Sequence, residues 1–258
     1  MKKFLLTAAI FINIFAANAQ TVDTTMSDSN LKIKNTTASS SKKDWSKLNL
    51  SNRSDDHFML QFGADTWTGT NDSVAPKGFS RFFNAYIMLD KPFKNNPRFS
   101  VGLGAGIGSS NMFFKNTNVN VISLAGKLPF QRVDTINHFK KFKLTTIYLE
   151  APIELRFSSN PEQSTSSFKV ALGVKVGTML KAYTKGKTLL DKKGNTINDY
   201  VEKQSSKRFF NGTKLAATAR IGYGIFSLYG AYQITSLLRD GAGPDIKPYS
   251  IGLTISGL

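Results

Sequence analysis

One stretch of the sequence decides the fold: Phe99-Ser-Val-Gly-Leu-Gly-Ala-Gly-Ile-Gly-Ser109. Up to Ile107 its odd positions carry apolar side chains, whereas its even positions carry glycine or serine. A period of two is that of a β-strand, in which successive side chains point to opposite faces. Glycine is costly in a strand, and a water-facing surface normally carries larger polar side chains. An apolar outer face and a small inner face are typical of a transmembrane β-barrel.

The N-terminal sequence predicts export from the cytoplasm. Two lysines, an apolar run over 4–16 and the small residues Ala17-Asn18-Ala19 have the order of a cleaved secretory signal peptide. The apolar run is too short for a transmembrane helix, which needs about 20 residues. The polar residues after it show no hydrophobic period, so we expect a flexible periplasmic leader. The predicted organisation is a signal peptide at 1–19, a leader at 20–55 and an outer-membrane barrel domain at 56–258.

The chain carries a large positive charge and no cysteine. Its 258 residues include 34 Lys and Arg against 17 Asp and Glu, a formal net charge of +17. Because an exported protein rarely meets nucleic acid, we expect outer-membrane lipids, including the phosphates of lipopolysaccharide, as partners instead. Lysines that are simply solvated in loops are the alternative. Without disulfides, backbone pairing and packing must stabilise the fold.

Alternating segments repeat along the chain and predict eight antiparallel strands of an up-and-down barrel. The connections after strands two, four and six are short, whereas the others are longer. Short turns at one end and long loops at the other are typical of outer-membrane barrels, whose short turns face the periplasm. The predicted strands span 57–68, 81–93, 98–112, 143–157, 167–184, 212–223, 225–237 and 247–257.

Aromatic residues occupy the outward positions nearest the short turns. Such a ring marks the inner membrane interface of an outer-membrane barrel. A soluble, lipocalin-like exported barrel is the alternative, but it would not require this ring or the glycine-rich face. The candidates for the outer ring are Phe82, Phe83 and Tyr249. The inner ring comprises Phe58, Phe93, Phe99, Phe157, Phe168, Tyr223 and Phe226.

Eight strands enclose a lumen just wide enough for side chains to fill it. If the second and third strands pair around their short turn, Tyr86 lies opposite Gly106 and Met88 lies opposite Gly104. Large inward side chains then face glycines, which make room for them. The glycines of the opening stretch therefore indicate packing space in a narrow barrel and disfavour a wide, porin-like pore.

The lumen also receives charged residues. If Phe157 pairs with Phe168, Glu150 lies opposite Lys175. Unpaired buried charge is costly, so inward charges should neutralise one another. A proton or ion pathway is the functional alternative to a purely structural role. The predicted structural network comprises Glu150, Glu154, Lys175 and Arg220.

Candidate catalytic groups are few. The chain has two histidines, His57 and His138. Some eight-stranded outer-membrane barrels modify lipids with serine and histidine at the outer rim, and His138 lies in the predicted loop 113–142 on that side. No carboxylate stands at a telling spacing from His138, so we expect a solvated loop histidine and no catalysis. No motif indicates a metal or a cofactor.

Two segments resemble a known family. Tyr148-Leu-Glu-Ala-Pro-Ile-Glu-Leu-Arg156 resembles the YLE-x-P strand of the PorT-like outer-membrane barrels of Bacteroidetes, and Lys247-Pro-Tyr-Ser-Ile-Gly-Leu-Thr-Ile255 resembles their closing strand. The resemblance covers about 57–258 and carries no catalytic residues. Its named member is linked to protein secretion across the outer membrane by the type IX pathway. The resemblance also implies a local bulge or bend at Pro152, which would otherwise remove a ladder hydrogen bond in mid-strand.

Together these observations predict a monomeric outer-membrane barrel with a filled lumen. The leading functional prediction is a structural or interaction role that supports a type IX-like secretion machinery, without catalysis. An enzyme that modifies outer-leaflet lipids and a small-solute channel are the alternatives.

Overall fold

The computed structural model describes residues 57–70, 79–115, 117–133 and 136–257. Within them eight strands form a closed antiparallel barrel, because the last strand pairs with the first. The predicted eight-stranded barrel is therefore confirmed. The predicted signal peptide at 1–19 and leader at 20–55 lie outside the described residues. No helix in the described ranges has the length and apolar composition to cross a membrane.

The barrel follows the order β1-β2-β3-β6-β7-β9-β10-β11 and closes onto β1. β4 and β5 form a separate hairpin between β3 and β6, and β8 pairs only with the far half of β7. A 3-10 helix at Ser164–Ser166 lies in the connection between β6 and β7. The strands are β1 (Phe58–Thr68), β2 (Arg81–Pro92), β3 (Phe99–Phe114), β4 (Thr117–Val119), β5 (Phe130–Arg132), β6 (His138–Ser158), β7 (Phe168–Leu190), β8 (Thr196–Ser205), β9 (Thr213–Tyr223), β10 (Phe226–Gln233) and β11 (Lys247–Ser256).

The long-loop end contains more structure than the sequence predicts. β6 begins at His138 and β7 continues to Leu190, so both strands extend past the predicted barrel edge. β7 then turns back into β8, which lies in a region predicted as a loop because its polar sequence has no apolar alternation. β10 ends at Gln233 instead of 237, since the residues that follow turn inward over the barrel mouth.

The outer surface of the barrel is apolar. From Tyr148 to Arg156, the even residues of β6 are buried and the odd ones are exposed. Leu149 and Leu155 are 46% and 52% exposed, which is typical of lipid-facing rather than water-facing positions. Every member of the predicted inner aromatic ring is exposed or half-buried on this surface.

The prediction of an outer-ring position for Phe82 is wrong. Phe82 is buried in the lumen, and its ring lies 5.7 Å from that of Tyr229. Inward and outward residues alternate along β2, so Phe83 faces outward instead. Tyr249 is also exposed on the outer surface.

The opening glycines lie where the sequence predicts. Gly106 lies opposite Tyr86, and Gly104 lies opposite Met88. A Cβ atom at Gly106 would lie 2.6 Å from Tyr86 Cδ1, which is far closer than packed atoms allow. The glycines therefore admit large side chains into the lumen.

Candidate functional site

The lumen of the barrel contains buried ion pairs arranged along β6. Glu150 and Glu154 are 1% and 2% exposed, because the even-numbered residues of β6 face inward. Lys175 on β7 and Arg220 on β9 are also buried. The structure divides these predicted network residues between two clusters instead of one.

The central cluster is built around Glu150. Its Oε2 lies 3.1 Å from Lys175 Nζ, and its Oε1 lies 2.9 Å from Lys214 Nζ. Tyr86 Oη donates a hydrogen bond of 2.5 Å to the same carboxylate. Lys175 Nζ also donates to the hydroxyls of Tyr86 and Tyr229, at 3.2 and 3.3 Å. Side chains from five strands therefore cross the middle of the lumen.

The lower cluster lies nearer the short turns. Arg220 binds Glu154 with two nitrogens, Nη2 at 2.6 Å from Oε2 and Nε at 3.2 Å from Oε1. Arg156 Nε lies 2.9 Å from Glu154 Oε2, and Arg156 Nη1 lies 3.5 Å from Asp90 Oδ1. Bidentate pairing of this kind is the geometry that best compensates for the desolvation of both partners.

A third polar group lies on the long-loop side of the central cluster. Asp65 on β1 accepts hydrogen bonds from Ser110 on β3, at 2.5 Å, and from Ser250 on β11. Two cavities of about 30 and 20 Å³ lie beside Asp65, Lys214 and Tyr148. Each has room for about one or two water molecules and for no larger solute. The four carboxylates Asp65, Asp90, Glu150 and Glu154 balance the four cations Arg156, Lys175, Lys214 and Arg220.

On the long-loop side of the polar clusters and Asp65, an apolar cluster closes the end of the barrel. We call it the loop core, because three connecting segments contribute to it. It packs on barrel residues that include Trp67, Met112, Phe142, Leu144 and Met179. The connecting segments supply Val119, Val121 and Leu128 between β3 and β6, Phe209 and Phe210 between β8 and β9, and Leu237, Leu238, Ala242 and Ile246 between β10 and β11.

Backbone hydrogen bonds join the segments of the loop core. Leu128 N donates to Ala242 O at 2.8 Å, which links the β3–β6 and β10–β11 connections. Phe210 forms an isolated antiparallel bridge with Leu238, and its carbonyl accepts a 2.9 Å hydrogen bond from Arg239 Nε. Hydrogen bonds as well as apolar packing therefore hold the segments of the loop core together.

Comparison with known proteins gives the family. Residues 48–238 match the family model described as the outer membrane protein beta-barrel domain. The chain belongs to this outer-membrane barrel family. No curated protein matches it. Two crystal structures of Ail, the attachment invasion locus protein of Yersinia pestis, one in complex with the heparin analogue sucrose octasulfate, match with 14% identity and a TM-score of 0.33, over 77% of this chain and 94% of theirs.

Family membership places the barrel in the outer membrane. His138 begins β6 at the long-loop end, where its Nδ1 lies 3.1 Å from the carbonyl oxygen of Ile136. In the described ranges, no group of His, Asp and Glu side chains is arranged to hold a metal ion.

The predicted register between β6 and β7 is wrong by two residues. Lys175 lies opposite Pro152, and Glu150 lies opposite Gly177. The physical reason is the rule already seen between β2 and β3, where glycines lie opposite large inward side chains. On β7, Gly177 lies opposite Glu150 and Gly173 lies opposite Glu154. Glycines accommodate the two glutamates, and Lys175 reaches Glu150 diagonally.

At Pro152, where the resemblance implies a local bulge or bend, the structure shows no register shift. Pairing of β6 with β3 is interrupted at Ala151 and Pro152, but the register is the same on both sides. The register shift between β6 and β7 occurs at Ile147 and Tyr148, opposite an extra residue of β7, Leu180.

The predicted network omits five members of the two clusters: Arg156 and Asp90 in the lower one, and Lys214, Tyr86 and Tyr229 in the central one. Lys214 lies an even number of residues before Arg220 on β9, so strand parity alone could have placed it inward. Tyr86 was assigned only a packing role, although its hydroxyl binds Glu150. Alternation along β10 also places Tyr229 inward, but its contact with Lys175 depends on the neighbouring strands.

Proposed function

We propose that this outer-membrane barrel is a sealed, non-catalytic scaffold with a structural or interaction role. The observation that supports this proposal most directly is the loop core, which covers a lumen already filled by neutralised ion pairs. Two barriers therefore lie in series between the periplasmic and the outer side.

A small-solute channel is disfavoured by this arrangement. Opening the loop core would expose side chains such as Phe209 and Phe210, which are 2% and 0% exposed. Each large apolar side chain moved into water costs about 1.5–3 kcal/mol. Passage through the lumen would additionally separate Glu154 from Arg220, whose Oε2 and Nη2 atoms lie 2.6 Å apart. A permanent pore is incompatible with both features.

The interaction role is supported by the tip of the β4–β5 hairpin. Leu124 is 89% exposed and Ile122 is 52% exposed, although both are apolar. Arg208 donates hydrogen bonds of 3.3 Å to the carbonyls of Ser123 and Leu124, which hold the tip in place. An apolar, anchored tip at the long-loop end is suited to contact another protein.

The resemblance to PorT-like barrels of Bacteroidetes supports a narrower proposal, which is assistance to a protein-secretion machinery. The Tyr148–Arg156 motif that carries the resemblance places its even residues in the lumen. Because these residues lie inside the barrel, the motif supports a shared fold. A secretion role depends instead on the partners that the loops contact.

Site-specific crosslinking in native outer membranes tests the interaction role. A photoreactive amino acid at position 124 should give a discrete adduct with a protein partner. The same group at position 192, on the exposed β7–β8 turn, is the control and should give none. Identification of secretion components in the adduct would support the narrower proposal. Equal labelling from both positions, or none from either, would contradict the proposed interaction role.

A further inference from the structure

Three neighbouring strands align lysines on the outer face of the sheet. Lys143 on β6 lies opposite Lys185 on β7, which lies opposite Lys203 on β8. In the next row, Lys141 lies opposite Lys187. We call these five residues the lysine patch. Phe142, Thr184 and Gly186, which alternate with them, are buried, so the lysines point outward.

The lysine patch lacks neutralising carboxylates. No ion pair involves these lysines within the part of the chain that the structure describes. Lys143 Nζ donates to Asn111 Oδ1 at 2.6 Å, and Lys203 Nζ lies 4.3 Å from the centre of the Tyr183 ring. Like charges directly opposite each other destabilise a sheet. An arrangement of this kind is favourable where an anion lies against it.

The acidic residues of β8 are engaged elsewhere. Glu202 on β8 lines a cavity on the inner side, and its Oε1 accepts a 2.5 Å hydrogen bond from Gln204. Asp199 Oδ1 accepts a 2.6 Å hydrogen bond from the Thr188 hydroxyl. No carboxylate of the described residues therefore neutralises the lysine patch, which leaves it available to an anion from elsewhere.

The position of the lysine patch along the barrel axis indicates where in the membrane such an anion would lie. Outward residues of β6 run from Phe157, in the inner aromatic ring, through apolar positions to Ile147. Ten residues at about 3.3 Å each, tilted by about 40°, span about 25 Å, which is the height of the apolar band of an outer-membrane barrel. Lys143 and Lys141 are the second and third outward positions above Ile147, at the level of the lipid headgroups.

We propose that the lysine patch binds phosphate groups of outer-leaflet lipids, lipopolysaccharide above all. The inference rests on the proposed function, in which the long loops of the outer-membrane barrel face the outer side. Because neighbouring strands lie about 4.8 Å apart, the row of Lys143, Lys185 and Lys203 spans about 10 Å and presents several ammonium groups to one headgroup. These contacts would hold the barrel at a fixed depth in the bilayer.

The proposal is tested by measuring lipid binding to a variant in which glutamine replaces Lys143, Lys185 and Lys203. The mature protein in neutral detergent is titrated with fluorescent lipid A, in its phosphorylated and dephosphorylated forms. The variant K143Q/K185Q/K203Q should bind the phosphorylated form about 100-fold more weakly, since each lysine near the surface contributes about fivefold. The matched control K127Q/K192Q/K193Q removes the same charge from exposed loop positions and should change affinity less than threefold.

The outcomes separate this proposal from the one on which it rests. Heat-dependent gel migration of every variant shows whether the barrel is folded. Equal weakening by both variants, or equal affinity for both lipid forms, would overturn phosphate binding at the lysine patch and leave the scaffold proposal intact. Failure of the unmodified protein to insert into membranes would instead overturn the placement in the outer membrane.

Discussion

Glu150 lies opposite Gly177 on the neighbouring strand, and the ammonium group of Lys175 nevertheless reaches its carboxylate at 3.1 Å. The register is thus set by space and not by charge. A glutamate side chain in a narrow lumen needs a partner without a side chain directly across the ladder, whereas a lysine is long enough to pair diagonally.

This packing rule predicts the cost of filling a glycine site. Gly106→Ala should lower the free energy of unfolding by about 1–3 kcal/mol, because overpacking displaces neighbours. The new Cβ would lie 2.6 Å from Tyr86 Cδ1 and 2.7 Å from Tyr86 Cα, and the latter cannot move away. Gly230→Ala is the control, since nothing lies within 4 Å of its Cβ position. Urea unfolding in lipid vesicles measures both, and equal destabilisation by the two variants would refute the rule.

The lower cluster predicts a large asymmetry between buried and exposed ion pairs. Glu154→Gln leaves Arg220 and Arg156 facing each other without the carboxylate between them, and should cost about 3–5 kcal/mol. The exposed pair of Asp245 and Lys247, at 3.3 Å, is the control. Asp245→Asn should change stability by less than about 1 kcal/mol. A stable E154Q protein would show that the lower cluster contributes little to the barrel.

Two barriers in series predict the electrical behaviour of the barrel. Planar-bilayer recording should show no steady conductance for the unmodified protein. F209S/F210S, which weakens the loop core, should also stay closed, because the central cluster still fills the lumen. Combining it with E150A/K175A in the central cluster and E154A/R220A in the lower cluster should produce measurable leakage. A steady current from the unmodified protein, or from F209S/F210S alone, would contradict the filled lumen.

The β7–β8 turn predicts a local response to acid. Hydrogen bonds from the backbone and side chain of Asn195 hold the pKa of Asp191 below its ordinary value of 3.8. A lowered pKa in the folded state stabilises the turn above the unfolded value, and this stabilisation is lost as the pH falls through the folded pKa. Amide hydrogen exchange at Gly194 and Asn195 should therefore accelerate below about pH 3.8 relative to the intrinsic rate. Asp191→Asn should abolish the pH dependence, and its persistence in that variant would assign the effect to another group.

The barrel itself was accessible to sequence reasoning because strand alternation is a local signal. The opening stretch from Phe99 to Ser109 predicted a strand, its lipid face and the glycines opposite Tyr86 and Met88. The β6–β7 register was not accessible in this way, since two competing anchors, an aromatic pair and a glycine–glutamate pair, differ by only two residues. The choice between them depends on the volume available inside the closed barrel.

The sequence by itself determined a transmembrane barrel of eight strands, because a period of two and the placement of aromatics are written residue by residue. It also determined that Glu150 and Arg220 face inward. Only the tertiary structure decided how these charges divide into two clusters, how the three loops join into the loop core, and which lysines align above the lipid band. Each of these features joins residues that are distant along the chain, so that closure of the barrel, and not local preference, sets their distances.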